Sequence, residues 1–253
     1  MSTHAVSPPS ATIAIYVGEF TKAMSLPAVT RTLLFGTFAI CAAVVFVMIQ
    51  VHGFFAQGRA DELGGLTVDA LMRDILHYGQ VIPVLLGAWI VGQDNAVGPG
   101  RLAVLVVARR GTLLGAKLFT TAGIALFAAI TCTSASLIPL ASIAEGGTGA
   151  LSPLPYGWVI GYWVLMAVLT AAIVAASRNL VASVVSILVW TIGLSDLLTA
   201  QIPALSGTVD QAFKQVYLHG GPVPPASSLI GVAAQVLFVL VLSVAIYRWR
   251  DVR

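Results

Sequence analysis

Residues 33–51 contain no charged side chain. As a helix, a run of this length is about 30 Å long, the thickness of a bilayer's hydrocarbon core. A charge at mid-bilayer costs about 2.5–3.5 kcal/mol on insertion scales, so such a run marks a membrane span. Five more long apolar runs follow, at about 75–91, 117–139, 156–176, 180–198 and 228–247. Only 9% of the residues are charged and 58% are hydrophobic, whereas soluble domains carry about 25% charged residues. The spans consume most of the chain and leave no room for a sizeable soluble domain. The expected fold class is therefore all-α: a polytopic membrane protein with six transmembrane helices in a single transmembrane domain, 1–253.

Six spans place both termini on one side of the membrane, and the basic residues then choose the side. Lys22, Arg31, Arg101, Arg109, Arg110, Lys117, Arg178, Arg248, Arg250 and Arg253 fall with the termini, and only Arg59, Arg73 and Lys214 fall opposite. The positive-inside rule puts both termini in the cytoplasm. The net charge of +3 is thus explained by topology, and no nucleic-acid partner is needed to account for it. The first ten residues lack a basic start followed at once by an apolar run, so insertion is expected to rely on the first span.

Three segments outside the spans have helical periodicity. In 10–26, Ile13, Val17, Phe20 and Met24 form one apolar stripe, with Glu19 and Lys22 on the opposite side. Pro27 is expected to end this element. A helix of this kind lies in the membrane interface rather than crossing it. In 68–78, Val68, Leu71, Ile75 and Tyr78 share a face, Thr67 can cap the start, and the helix can run into span 2, where Pro83 should produce a kink. In 199–225, Val209, Ala212, Phe213, Val216 and Tyr217 form a stripe, with Asp210 and Lys214 paired at i,i+4 on the other face. This helix either rests on the outer surface or dips into the bundle. Trp158, Tyr162 and Trp163 open span 4 as an aromatic belt would.

Catalytic constellations are missing from the sequence. There is no G-x-x-x-x-G-K-[ST] phosphate loop, no H-E-x-x-H, no C-x-x-C and no paired-carboxylate motif. Cys41 and Cys132 sit in apolar runs and read as buried small side chains. His4, His52, His77 and His219 are scattered and form no metal-ligand spacing. Ionisable groups inside the spans, the usual mark of proton-coupled transport, are nearly absent: Asp94 and Asp196 read as interface residues. Any energy is therefore expected to come from outside this chain. Gln50, Gln80, Thr131, Thr133, Ser134, Ser183, Ser186 and Thr191 offer uncharged polar groups that serve helix packing equally well.

The loop 92–117 is the most distinctive stretch. Gly98-Pro99-Gly100 opens a short apolar helix from Leu102 to Ala108, Arg109 and Arg110 follow, and Gly111 can close the helix as a left-handed cap. The helix is too short to cross a bilayer. An apolar face edged by Arg101, Arg109 and Arg110 fits either a cytosolic protein partner or the lipid headgroups.

In this pattern the chain resembles the membrane-spanning permease subunits of type-2 ATP-binding-cassette (ABC) exporters. The likeness covers the whole length as architecture. It is most specific in loop 92–117, where Asp94 stands near an acidic position of the family, Gly98 at a glycine, Leu102 to Val107 at an apolar helix, Arg109-Arg110 at a basic pair and Lys117 at the span opening. The chain departs from the family at Pro99, where Thr is usual, and at Ala108, where Pro is common. The resemblance implies a bacterial inner-membrane protein whose loop forms a cytoplasmic coupling helix in a groove of a cytosolic ATPase. Gly98, Arg101, Leu102, Leu105, Arg109 and Arg110 would then be coupling residues, and the interfacial helix, with Glu19 and Lys22 on its exposed face, would lie against the same subunit. The chain itself would be no enzyme and hold no cofactor, with ATP and Mg on the partner. A second permease chain, identical or related, would complete one pathway. The other class of reading is a six-span channel or facilitator without an ATPase, whose loop would bind lipid. No substrate is legible.

Overall fold

The computed structural model describes residues 11–58, 68–96, 110–144, 154–202, 208–218 and 226–249. In chain order the elements are α1 (Ala11–Met24), α2 (Pro27–Ala56), α3 (Val68–Tyr78), α4 (Val81–Ala96), α5 (Arg110–Ala144), α6 (Leu154–Ser177), α7 (Leu180–Val189), a π-helical turn (Trp190–Leu194), α8 (Ser195–Gln201), α9 (Val209–Tyr217) and α10 (Ala226–Trp249). No strand occurs among the described residues.

Six helical stretches are long and apolar enough to cross a membrane: Pro27–Phe54, Asp69–Gln93, Gly111–Ile138, Tyr156–Ser177, Leu180–Gln201 and Leu229–Tyr247, spans 1 to 6. The chain is a multi-pass membrane protein. Spans 1 to 5 are longer than their apolar runs because residues flanking the runs continue the helix. Span 1 starts at Pro27 itself, since proline has no N–H to leave unpaired in a first turn. The helix of span 3 starts at Arg110, so Gly111 lies inside its first turn and not in the left-handed geometry of a cap. The same helix continues through Pro139 to Ala144, because a proline removes one backbone bond without necessarily ending a helix.

Span 2 forms the centre of the bundle, with 72% of its apolar window buried against 11% in each of spans 1 and 6. Spans 2 and 4 meet backbone to backbone. A methyl group added at Gly87 would lie 2.2 Å from the Ala167 carbonyl oxygen, so only glycine allows this approach. Span 2 is broken between α3 and α4. Pro83 cannot donate to the Gly79 carbonyl, and the Ile82 N–H takes that acceptor instead at 2.9 Å. One step earlier the Gln80 N–H bonds the His77 carbonyl, which leaves the Leu76 carbonyl without its usual helical donor. The buried Trp163 indole of span 4 donates to that carbonyl at 3.2 Å. Trp163 and Tyr162 are therefore interior side chains, 1% and 0% exposed, and not part of an interfacial belt. They turn inward because the broken span and α9 offer them hydrogen-bond partners.

The connection from span 4 to span 5 is a tight turn at 178–179. Arg178 takes a positive φ of 58°, and the Asn179 side chain caps α7 by accepting from the Ala182 N–H at 3.0 Å.

Candidate functional site

At the end of the bundle remote from α1, the nine-residue α9 is inserted between the spans. It is too short and too polar to cross a membrane, yet Val209, Asp210, Ala212, Lys214, Val216 and Tyr217 are all buried. Lys214 is 0% exposed and Asp210 2%. The helix dips into the bundle instead of resting on its surface.

The Lys214 ammonium lies in a cage of oxygens. Its Nζ is 2.9 Å from Asp210 Oδ2, one helical turn back. It donates to Ser195 Oγ at 3.0 Å, to Asp196 Oδ1 at 3.1 Å and to the Thr191 carbonyl at 2.5 Å. The π turn explains the last contact. It moves the Ser195 N–H onto the Trp190 carbonyl, away from Thr191, and the Thr191 carbonyl takes the ammonium. Asp210 is satisfied in the same manner. It accepts from the Tyr162 hydroxyl at 2.5 Å and from the Ser195 hydroxyl. Tyr162 also meets Gln80 Oε1 at 2.8 Å. Gln211 braces Asp196 at 2.6 Å. One ammonium thus sits between two carboxylates on different elements, Asp210 fully buried and Asp196 with a side chain 48% exposed.

The C-terminal end of α9 is held separately. Arg73 Nη1 donates to the Tyr217 and Leu218 carbonyls at 3.1 and 3.2 Å, filling helix-end acceptors that α9 cannot pair itself. Arg73 is fixed by Asp69 at 3.1 Å, and Tyr156 donates to Asp69 at 2.8 Å. His77 Nδ1 lies 2.7 Å from the Tyr217 hydroxyl.

The spans therefore enclose buried charges, contrary to the expectation of almost none. Buried charge is stable only when paired and hydrogen-bonded, and it marks function more often than it marks packing. The signal was present as the Asp210/Lys214 spacing on a short amphipathic helix. The helix's partners Tyr162 and Ser195 come from other spans and could not be assigned from local sequence. Among the described residues no group of His, Cys, Asp and Glu could hold a metal ion.

A second polar contact lies at the opposite end. Glu19 of α1 turns into the bundle and pairs with Lys117 of span 3 at 2.5 Å, with side chains 11% and 5% exposed. Tyr16 stacks edge-on against Phe119, with ring centroids 5.5 Å apart. The stripe of Ile13, Val17, Phe20 and Met24 faces outward instead, 45–60% exposed. The two faces of α1 are thus reversed relative to a soluble amphipathic helix, as fits a helix whose outer surroundings are apolar. Glu19 is accordingly not on an exposed face, and Lys22 is half-buried. Gly98, Arg101, Leu102, Leu105 and Arg109 lie outside the described residues. Arg110 opens α5.

No protein-family model matches the chain, and no curated protein matches its sequence.

Proposed function

We propose that this chain is the membrane-spanning permease subunit of an ATP-driven exporter of the type-2 ABC kind, embedded in a bacterial inner membrane with both termini cytoplasmic. Separate cytosolic ATPase subunits hydrolyse ATP with Mg, and a second permease chain completes the pathway.

The observation that carries this reading is the way the roots of loop 92–117 are built into the bundle. On one side Gly92, at the end of span 2, packs so closely on Leu180 of span 5 that an added methyl group would lie 2.6 Å from its Cδ1. On the other side the first turns of span 3 are clamped to α1 through the buried Glu19–Lys117 pair. A push on the loop therefore reaches spans 2, 3 and 5 and α1 together, as a subunit driven by a separate motor requires. Such a motor does work only when it binds the two states of the permease with different free energy. In this reading α1 lies in the membrane interface with its apolar stripe in lipid.

The test is charge reversal in the loop. Arg109→Glu with Arg110→Glu is expected to cut co-purification of the ATPase by at least about tenfold, as loss of two charged contacts implies, while membrane insertion is unchanged. Unchanged association would remove the loop from the coupling role.

A further inference from the structure

We infer that the groove between spans 1 and 2 is a binding site for one anionic phospholipid of the leaflet on the α1 side, with the lipid phosphate on Arg31 and an acyl chain along the groove. The inference requires only that the chain sits in a membrane, and it does not depend on the permease reading.

Shape is the first support. A cavity of about 690 Å³ lies between the two spans, lined in part by Arg31, Phe35, Gly36, Ala39, Ala43 and Tyr78. Its floor is closed, because the spans touch there through two glycines. A methyl group added at Gly36 would lie 2.7 Å from Ile82 Cγ1, and one added at Gly79 would lie 2.6 Å from Ile40 Cδ1. Gly36, Ala39 and Ala43 share one face of span 1 at helical spacing and keep that floor low. Phe35 and Tyr78 stand out beside it, 70% and 61% exposed. A recess of this kind loses van der Waals contact wherever fluid tails fail to follow it. One ordered acyl chain fills it.

Length is the second. From Arg31 to Ala43 the groove follows about 18 Å of helix. Half of a bilayer's hydrocarbon core is about 15 Å. The groove therefore runs from headgroup depth to the bilayer centre and serves a single leaflet.

Charge is the third. Arg31 lies near the start of span 1, where the chain enters the membrane, and it is exposed. Its guanidinium has no ion-pair partner among the described residues, and no carboxylate lines the groove. A guanidinium takes a phosphate through two parallel N–H donors. A lipid of negative net charge neutralises Arg31, whereas the ammonium of a zwitterionic lipid brings a like charge beside it.

The test uses the purified full-length chain in detergent micelles that hold equal amounts of phosphatidylglycerol and phosphatidylcholine with the same tails. Native mass spectrometry of the folded protein reads the bound lipid. The parent chain is expected to retain one phosphatidylglycerol in preference to phosphatidylcholine. Arg31→Gln, at an exposed position that the fold does not need, should lower the preference about tenfold, as loss of one charged hydrogen bond implies. Arg31→Lys should keep most of it. Ala43→Phe fills the groove and should release both lipids, while Ala42→Phe, at an exposed position outside the groove, should change nothing. Equal retention of the two lipids by the parent would overturn the site, as would an unchanged preference in Arg31→Gln. Equal loss in Ala42→Phe would mean general disturbance of span 1 and would overturn it too. Loss of self-association in Ala43→Phe with lipid retention unchanged would make the groove the seat of a second copy of this chain instead. No ATPase enters the experiment, so failure of the permease reading leaves its result intact.

Discussion

Lys214 shows how one residue can carry a fold and a mechanism together. Its ammonium is fully buried and draws on oxygens from α9, the π turn and α8. Removing one partner of a buried ion pair costs about 3–5 kcal/mol, because the other is left charged and unpaired. Lys214→Met should lower stability by that amount in SDS unfolding of the purified chain. Lys214→Met combined with Asp210→Leu should restore most of the loss, since an apolar pair of similar volume is often neutral. If the double variant were as unstable as the single, the ion pair would not be the cause. The pairing of Asp210 with Lys214 was legible from their spacing alone, but their burial was not. A polar stripe on a short helix looks the same on a surface as inside a bundle, until Tyr162 and Ser195 arrive from distant parts of the chain. Tyr162 and Trp163 misled for the same reason, since aromatic residues at a span end suit both an interfacial belt and an interior network.

Among the elements, the six spans and the short helix at 68–78 were legible because apolar length and 3.6-residue periodicity are local properties. The break in span 2 was half legible. Pro83 announced it, but the rupture falls at Gly79 and Gln80, where the missing N–H would have bonded. The closeness of spans 2 and 4 had no sequence signal beyond a glycine. Gly87→Ala forces a methyl group against the Ala167 carbonyl and should destabilise by about 1–3 kcal/mol, as overpacking does. A stability equal to that of the parent chain would mean that the spans separate without strain. At the head of span 5, Asn179→Ala removes the side-chain cap of α7 and should cost about 1 kcal/mol. Its measurement by the same unfolding assay checks whether the turn at Arg178 is held by the cap or by the flanking packing.

For the whole molecule, two polar clamps lie at opposite ends of one bundle: Glu19–Lys117 beside the loop that follows span 2, and the Lys214 cage around α9. In the proposed mechanism the first receives force from the ATPase, and span 2 runs between the two ends. Glu19→Gln keeps the shape of the first clamp and removes its charge. It should leave ATPase association intact while lowering permease-stimulated ATP hydrolysis several-fold, because the loop root would no longer be tied to α1. Equal stimulation would exclude the clamp from transmission. The loop residues that the resemblance singles out, Gly98 to Arg110, belong to the same argument, and their role stands or falls with the partner. The most direct measurement is therefore an affinity pull-down of the tagged chain from its native membranes in mild detergent, with mass spectrometry of the recovered proteins. The account predicts a stoichiometric cytosolic ATPase bearing a phosphate loop, with either a related permease or only this chain in the membrane fraction. Repeated recovery of the intact chain with no ATPase would contradict it and leave a six-span facilitator whose loop rests on lipid.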